Sequence, residues 1–316
     1  MQDQHVQTKL SPAVLEPPDK NRVPSVSVII PTYNRKELLA ATLDSVAAQT
    51  FTDYEIIVVD DGSEDGTREF IAARDQKIRY LWQENQGVAE ARNHALRENH
   101  SQYVAFLDSD DMWKPTFLER AIARLREHPE EALVFADFLS IDANGKVLRG
   151  HRKTPCAGDI TEALFASTFI HTSAVVARSN IVRDAGGFDG RLTHNEDYDL
   201  WLRLSLRHRF GLVAEPLCLR RCHFNSLSRK GCSANILLRK AELLQRFYEN
   251  GGGKSKIPAD LAEQRLAKIY YTAAKTYLRE GAAHKACQIF RESMRYDNAR
   301  LKTWLWCVCA GIRRMF

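Results

Sequence analysis

The sequence predicts an α/β fold in which a mostly parallel, doubly wound, Rossmann-like sheet is followed by a C-terminal helical appendage. Two observations carry this. Four strand-then-helix units succeed one another from Val26 to Glu127, and sequential βα units of this kind build parallel sheets with helices on both faces. Beyond Ser233 the pattern is helical only, punctuated by Gly251-Gly252-Gly253 and Gly281.

In order, Val26 to Ile30 is a continuous β-branched run bounded by Pro24 and Pro31, and Leu39, Leu43 and Val46 mark a helix over Lys36 to Gln49. The same alternation recurs as Glu55 to Val59 before Gly66 to Arg74, Ile78 to Trp82 before Val88 to Asn99, and Tyr103 to Leu107 before Pro115 to Glu127. From Leu133 the rhythm shortens, with a hairpin expected at Asn144-Gly145. A strand at Ala174 to Ala177, a helix at Ser179 to Asp184 and a long helix from about Asp197 follow. The C-terminal helices are expected at Ile236 to Tyr248, Pro258 to Glu280, Ala282 to Tyr296 and from Leu301 onward. This divides the chain into a flexible lead-in (1–23), an α/β domain (24–232) and a basic helical region (233–316).

Composition bounds the class. With 316 residues, 44% hydrophobic and 27% charged, the chain has ordinary globular content, so disorder is excluded as the general state. No stretch approaches the ~18 to 20 apolar residues of a spanning helix, and the N-terminal residues lack the apolar core of a secretory signal, so a cytoplasmic protein is expected. Seven cysteines without a CxxC pair fit reduced thiols. Cys218, Cys222, His223 and Cys232 lie close together, yet their spacing matches no common structural zinc site. The net charge of +5 is unevenly spread: Asn235 to Phe316 carries 16 Lys and Arg against 7 Asp and Glu, leaving a mildly acidic domain before a basic tail.

Ligands of such sheets bind beyond the carboxyl ends of the strands. There the sequence places Pro31-Thr32-Tyr33-Asn34, Asp60-Asp61-Gly62-Ser63 and Asp108-Ser109-Asp110-Asp111. Singly, each is ordinary turn and helix-cap chemistry. Together they crowd carboxylates onto one sheet edge, which repels itself unless a cation or donor-rich ligand sits there. Hard oxygen ligands select Mg²⁺ or Mn²⁺, ions that bridge carboxylates to substrate phosphates. A third acidic segment, Asn195-Glu196-Asp197-Tyr198-Asp199, opens a helix.

These segments, with Asn85-Gln86-Gly87, Ala91-Arg92-Asn93 and Gly186-Gly187-Phe188-Asp189, run in an order that resembles glycosyltransferase family 2 from Ser25 to about Arg229. The resemblance implies a GT-A fold and inverting transfer of a sugar from a nucleotide diphosphate sugar, with a UDP-sugar foremost, to a glycan or lipid-linked acceptor. It places Pro31, Tyr33, Asp61, Arg92 and Asp108 around the nucleotide: Tyr33 stacking, Asp61 on the base, Arg92 near base or pyrophosphate, Asp108 towards the ribose. Asp110 and Asp108 become the metal pair, with His223 near metal and diphosphate. Asp197 becomes the general base, oriented by Glu196. Cell-surface polysaccharide or glycolipid synthesis is the implied setting. Two other readings stay open, a nucleotide-sugar-binding protein without catalysis and a sugar nucleotidyltransferase, although Pro31-Thr32-Tyr33-Asn34-Arg35 lacks the glycine-rich phosphate loop of the latter.

The tail carries its own expectation. Leu301, Trp304, Leu305, Val308 and Ile312 share one helical face, flanked by Lys302, Arg313 and Arg314. Such a helix either docks on the body or lies in the headgroups of an anionic membrane, and peripheral attachment to the cytoplasmic face is the expectation. No nucleic-acid partner is expected.

Overall fold

The computed structural model describes residues 23–74, 78–148, 156–222 and 233–297. Most of the lead-in, together with His223, Cys232 and the expected helix from Leu301, lies outside these residues.

Strand β1 (Val26–Thr32) is buried along its whole length, as a central strand covered on both faces must be. It pairs in parallel with β2 (Tyr54–Asp60) and with β4 (Tyr103–Phe106), and β2 pairs in parallel with β3 (Ile78–Trp82). Helices α1 (Lys36–Ala47), α2 (Thr67–Ala72) and α3 (Val88–Glu98) make the crossovers. A two-residue strand, β5 (Met112–Trp113), precedes α4 (Phe117–Glu127).

The second half inserts β6 (Glu131–Ile141), α5 (Thr161–Ala166), β7 (Val175–Arg178), α6 (Ser179–Asp184), α7 (Glu196–Ser205) and β8 (Arg209–Arg221). The eight-stranded sheet has the order β3-β2-β1-β4-β7-β6-β8-β5. Only β7 and β5 run against the rest, so the sheet is mostly parallel, as expected. The Asn144-Gly145 turn forms as expected, its arms joined by the antiparallel bridge of Ile141 to Val147 and by hydrogen bonds from Asp142 N–H to Lys146 O at 2.9 Å and from Leu148 N–H to Ser140 O at 2.8 Å. Two details differ from the sequence reading. The helix that begins at Glu196 spans 10 residues and is not long. The 13-residue β8 escaped notice because Pro216 and several charges interrupt it; the structure accommodates Pro216 opposite Asp137 at a register shift.

Each face of the sheet has its own core. On one, Leu39, Leu43, Phe117, Leu118 and Leu125 from α1 and α4 cover Val28, Ile30 and Val58. On the other, α3, α5 and α7 contribute Ala95, Phe165, Tyr198 and Trp201. The C-terminal helices α8 (Ala234–Asn250) and α9 (Ala259–Arg279) feed Leu244, Phe247 and Leu266 into this same second core. With α10 (Ala283–Tyr296) they also enclose a small cluster of their own around Phe290.

Candidate active site

The register of the parallel strands brings three sequence segments to one edge. Thr32 is opposite Asp60, and Ile29 is opposite Phe106, so the chain leaves β1, β2 and β4 side by side. Main-chain hydrogen bonds extend the pairing outward: Asp61 N–H donates to Thr32 O at 2.9 Å and Gln83 N–H to Asp60 O at 3.0 Å. Gly62 turns the chain with φ +85°, and a Cβ there would sit 3.1 Å from Asn85 N, so glycine is needed on both counts.

Of the residues expected around a nucleotide, Pro31 is buried in β1, whereas Tyr33 stands just past it with 48% of its surface exposed. Asp61 is buried, and its carboxylate already accepts Gln83 Nε2 at 2.7 Å and the N–H groups of Gln86 and Gly87 at 2.9 Å each. Its visible work is thus to fold the Gln83–Gly87 loop against β2. Thr32 Oγ1, beside it, is buried without a hydrogen-bond partner.

Arg92 connects the acidic segments. From α3 its guanidinium donates to Asp108 Oδ1 at 2.6 Å and to Glu196 Oε1 at 2.8 Å, and it lies 5.2 Å from the centre of the Phe188 ring. Burial disfavours its charge, but Asp108, Glu196 and Asp197 outweigh that and raise its pKa. Burial also opposes ionisation of Asp108, yet Arg92, with His171 and Arg35, holds that carboxyl below its ordinary range. Glu196 goes the other way: burial and then Asp197 push it up, and Arg92 only partly offsets them. The neighbouring Asn93 clamps the Gly186-Gly187-Phe188 segment, accepting from Phe188 N–H at 2.9 Å and donating to Phe188 O at 2.8 Å. A Cβ on Gly187 would fall 2.6 Å from Asn93 Oδ1, which explains the glycine.

Carboxylate oxygens of Asp108, Asp110 and Asp111 lie within 4.8 Å of one another. Asp111 is committed to the fold: it accepts Arg221 N–H at 2.9 Å, Ser173 Oγ at 2.6 Å and His171 Nε2 at 2.7 Å. Asp110 pairs with Arg35 Nη1 at 3.1 Å. Hard oxygen donors from Asp108 and Asp110, at an edge already furnished with balancing arginines, fit a divalent cation of the Mg²⁺ or Mn²⁺ kind. A second set, Asp111, His171 and Cys218, is equally close, but burial keeps the Cys218 thiol's pKa well above its ordinary value, which disfavours the thiolate a metal needs.

Asp197 stands at the start of α7, where Asn195 adopts the left-handed conformation that turns the chain into the helix. Its Oδ2 accepts Thr172 Oγ1 at 2.6 Å and its Oδ1 accepts the N–H of Tyr198 at 2.7 Å. Asp197 is partly exposed, whereas Glu196 is buried on Arg92. The structure therefore joins Arg92, Asp108 and Glu196 through one guanidinium, with Asp197 next to Glu196 and Asp110 two positions after Asp108, on Arg35. It leaves Tyr33 at the rim, and His223 lies outside the described residues. Thr172, His171 and Arg35 were not singled out from sequence; nothing marks a lone Thr or His as the partner of an acid far along the chain. A cleft of about 710 Å³ opens elsewhere, between Glu90, Gly187, Asp189, Arg203, Arg246 and Asn250, and none of the strand-end acids lines it.

The sheet order and the acids on its edge define the class, a GT-A glycosyltransferase fold. The Staphylococcus aureus TarS structure with UDP-GlcNAc shares it with a TM-score of 0.62 and 18% identity, covering 90% of this chain and 79% of that one. The Pyrobaculum calidifontis mannosyltransferase PcManGT, in complex with GDP-Man and Mn²⁺, matches with a TM-score of 0.57 and 20% identity over 95% and 89% of the two chains. At these identities the likeness shows the fold alone. A family model described as glycosyl transferase family 2 matches residues 27–181. An Escherichia coli relative, the UDP-Glc:alpha-D-GlcNAc-diphosphoundecaprenol beta-1,3-glucosyltransferase WfgD, is 30% identical over 251 residues, 78% of this chain and 90% of its own. An uncharacterized glycosyltransferase of Rickettsia typhi is 31% identical over 185 residues, 57% of this chain and 58% of its own length. The chain belongs to glycosyltransferase family 2.

Proposed function

We propose that this protein is an inverting, metal-dependent glycosyltransferase that moves a sugar from a nucleotide diphosphate sugar, a UDP-sugar first among the candidates, to a hydroxyl of a glycan or lipid-linked acceptor in polysaccharide biosynthesis. The observation that carries the reading is the single guanidinium of Arg92, which ties a strand-end acid, Asp108, to Glu196, the residue next to the proposed base. That link supports nucleotide and acceptor chemistry at one place.

Asp110 and Asp108 would hold Mn²⁺ or Mg²⁺, with His223 a further proposed ligand, and the cation would neutralise charge on the departing diphosphate. Tyr33 offers an exposed ring for stacking on the base. Pro31 and Asp61 shape the floor and loop beneath it. Thr172 and the Tyr198 N–H fix the Asp197 carboxylate, which would take the acceptor hydroxyl's proton as that oxygen attacks the anomeric carbon. The bond to the diphosphate oxygen breaks as the new one forms, and a single displacement inverts the centre. Glu196, buried on Arg92, keeps the first turn of α7 in place.

A cytoplasmic setting with peripheral membrane contact through the segment after Leu301 belongs to the same proposal. Its support is the basic, tryptophan-bearing composition of that segment. Among the described residues no helix is long and apolar enough to cross a membrane.

The test is a donor panel. Purified protein with Mn²⁺ or Mg²⁺ is incubated with UDP-, dTDP- and GDP-sugars, and release of free sugar or nucleoside diphosphate by slow hydrolysis is followed. One base class should stand out, and only with metal. Tight binding of a donor without any turnover, with or without an acceptor panel, would leave a nucleotide-sugar-binding protein instead.

A further inference from the structure

Thr172, whose hydroxyl donates to Asp197 Oδ2 at 2.6 Å, opens a single 3₁₀ turn, Thr172–Ala174. Three residues with the poor hydrogen-bond geometry of such a turn do not make a rigid support by themselves. What fixes the turn comes from elsewhere in the chain. His171 Nε2 and Ser173 Oγ, on the two neighbours of Thr172, donate to the same oxygen, Asp111 Oδ2, at 2.7 and 2.6 Å. Ser173 Oγ also accepts the N–H of Asp108 at 3.1 Å, and Ser173 O accepts Trp113 Nε1 at 2.5 Å.

Asp111 is itself held from a second side, because its Oδ1 accepts Arg221 N–H at 2.9 Å. Asp111, Thr172 and Ser173 are all buried, so these bonds meet little competition from water. The ring of His171 is set by Phe138, whose centre is 5.0 Å away. The hydroxyl that fixes Asp197 is thereby registered on the run 108–111, the same run that bears Asp108 and Asp110. No nearby stretch of sequence could supply this: 60 positions separate Asp111 from His171, and 25 separate Thr172 from Asp197.

We propose that His171 and Asp111 are positioning residues for sugar transfer: they pin the turn to the acidic run, so that Thr172 presents the Asp197 carboxylate at a fixed place relative to Asp108 and Asp110. Neither touches a substrate. The inference rests on the glycosyltransferase reading above, with Asp197 as the base. Misplacing a reacting group by about 1 Å can cost roughly 10² in rate, which is the scale on which such a junction acts.

The Tyr198 amide offers a direct readout. It lies in the first turn of α7, where main-chain N–H groups have no partner within the helix, and it donates to Asp197 Oδ1 at 2.7 Å. Its hydrogen exchange, followed by NMR on the full chain without metal or donor, reports whether the Asp197 carboxylate stays in place. His171→Leu keeps an apolar body against Phe138 but removes the donor to Asp111, whereas His171→Gln keeps a donor. Tyr198 should exchange roughly tenfold faster in His171→Leu and near the parent rate in His171→Gln, while amides of β1 and β4 keep their protection. No change at Tyr198, or a loss shared equally by β1 and β4, overturns the inference.

Kinetics with the donor singled out by the panel above give a second arm. His171→Leu and Thr172→Val should each lower kcat roughly tenfold at unchanged KM for the donor, and the double variant should fall no further than the slower single one, because both act through Asp197. Effects that multiply, or a change confined to KM, overturn the inference as well. If the parent turns over no donor, or Asp197→Asn is as fast as the parent, the glycosyltransferase reading with its base fails and this inference with it. If Asp197→Asn is slow while His171→Leu matches the parent in kcat and in Tyr198 exchange, only this inference fails.

Discussion

The guanidinium of Arg92 donates to Glu196 at 2.8 Å across 104 positions of sequence, and through its other nitrogen holds Asp108 at 2.6 Å. One side chain on α3 thus sets the distance between a strand end and the start of α7. Its removal leaves two desolvated carboxylates without their cation. Arg92→Gln should cost about 3 to 5 kcal/mol, as expected when one partner of a buried pair is lost. Adding Glu196→Gln should recover part of that. The loss should also depend on pH. Removing Arg92 takes away the largest influence that lowers each folded pKa, so both rise, and the stability lost with Arg92 grows as pH rises through them. Denaturant unfolding should therefore show a larger deficit at pH 8 than at pH 5; equal deficits would mean that the carboxyls do not depend on Arg92.

Asp197→Asn keeps the shape of the side chain and an oxygen to accept Thr172. Donor binding should persist while the rate of sugar transfer falls by roughly 10² to 10⁴, the range of a lost general base. Single-turnover kinetics on preloaded donor separates the steps. A variant that transfers sugar at the parent rate but binds donor poorly would make Asp197 a helix-start residue, and the base would have to be sought elsewhere.

Leu244 is fully buried in the core that also contains Phe165, Tyr198 and Trp201. If α8 shares this core, Leu244→Ala should destabilise the whole chain by about 2 to 5 kcal/mol in a single unfolding transition. A loss below about 1 kcal/mol, closer to that of a surface substitution, would mark α8 as a loosely attached element.

Much of this was legible in the sequence because the information is local there. The β-branched runs of β1 and β2, and the apolar spacing of α1 and α4, give strands and helices directly, and short acidic segments after strands place the candidate chemistry. What the sequence hides is pairwise and distant. The commitment of Asp111 to Arg221, Ser173 and His171 separates it from Asp108 and Asp110, although all three share one acidic run. Asp61 looks like a free carboxylate in a turn, yet three donors of the next loop occupy it. The 13-residue β8 is hidden by Pro216, which sits opposite Asp137 at a register shift.

The central claim is that Asp110, with Asp108, holds a divalent cation that a nucleotide donor requires. Calorimetric titration of UDP and GDP into parent protein and Asp110→Ala, each with Mn²⁺ and with EDTA, tests it directly. The parent should bind one of the two nucleotides far more tightly with Mn²⁺ than with EDTA, and Asp110→Ala should lose that difference while its circular dichroism and unfolding transition stay near those of the parent, because the site then has too few hard ligands to hold the ion against water. Equal, metal-dependent affinity in parent and variant, or nucleotide binding by the parent that ignores Mn²⁺, would contradict the account.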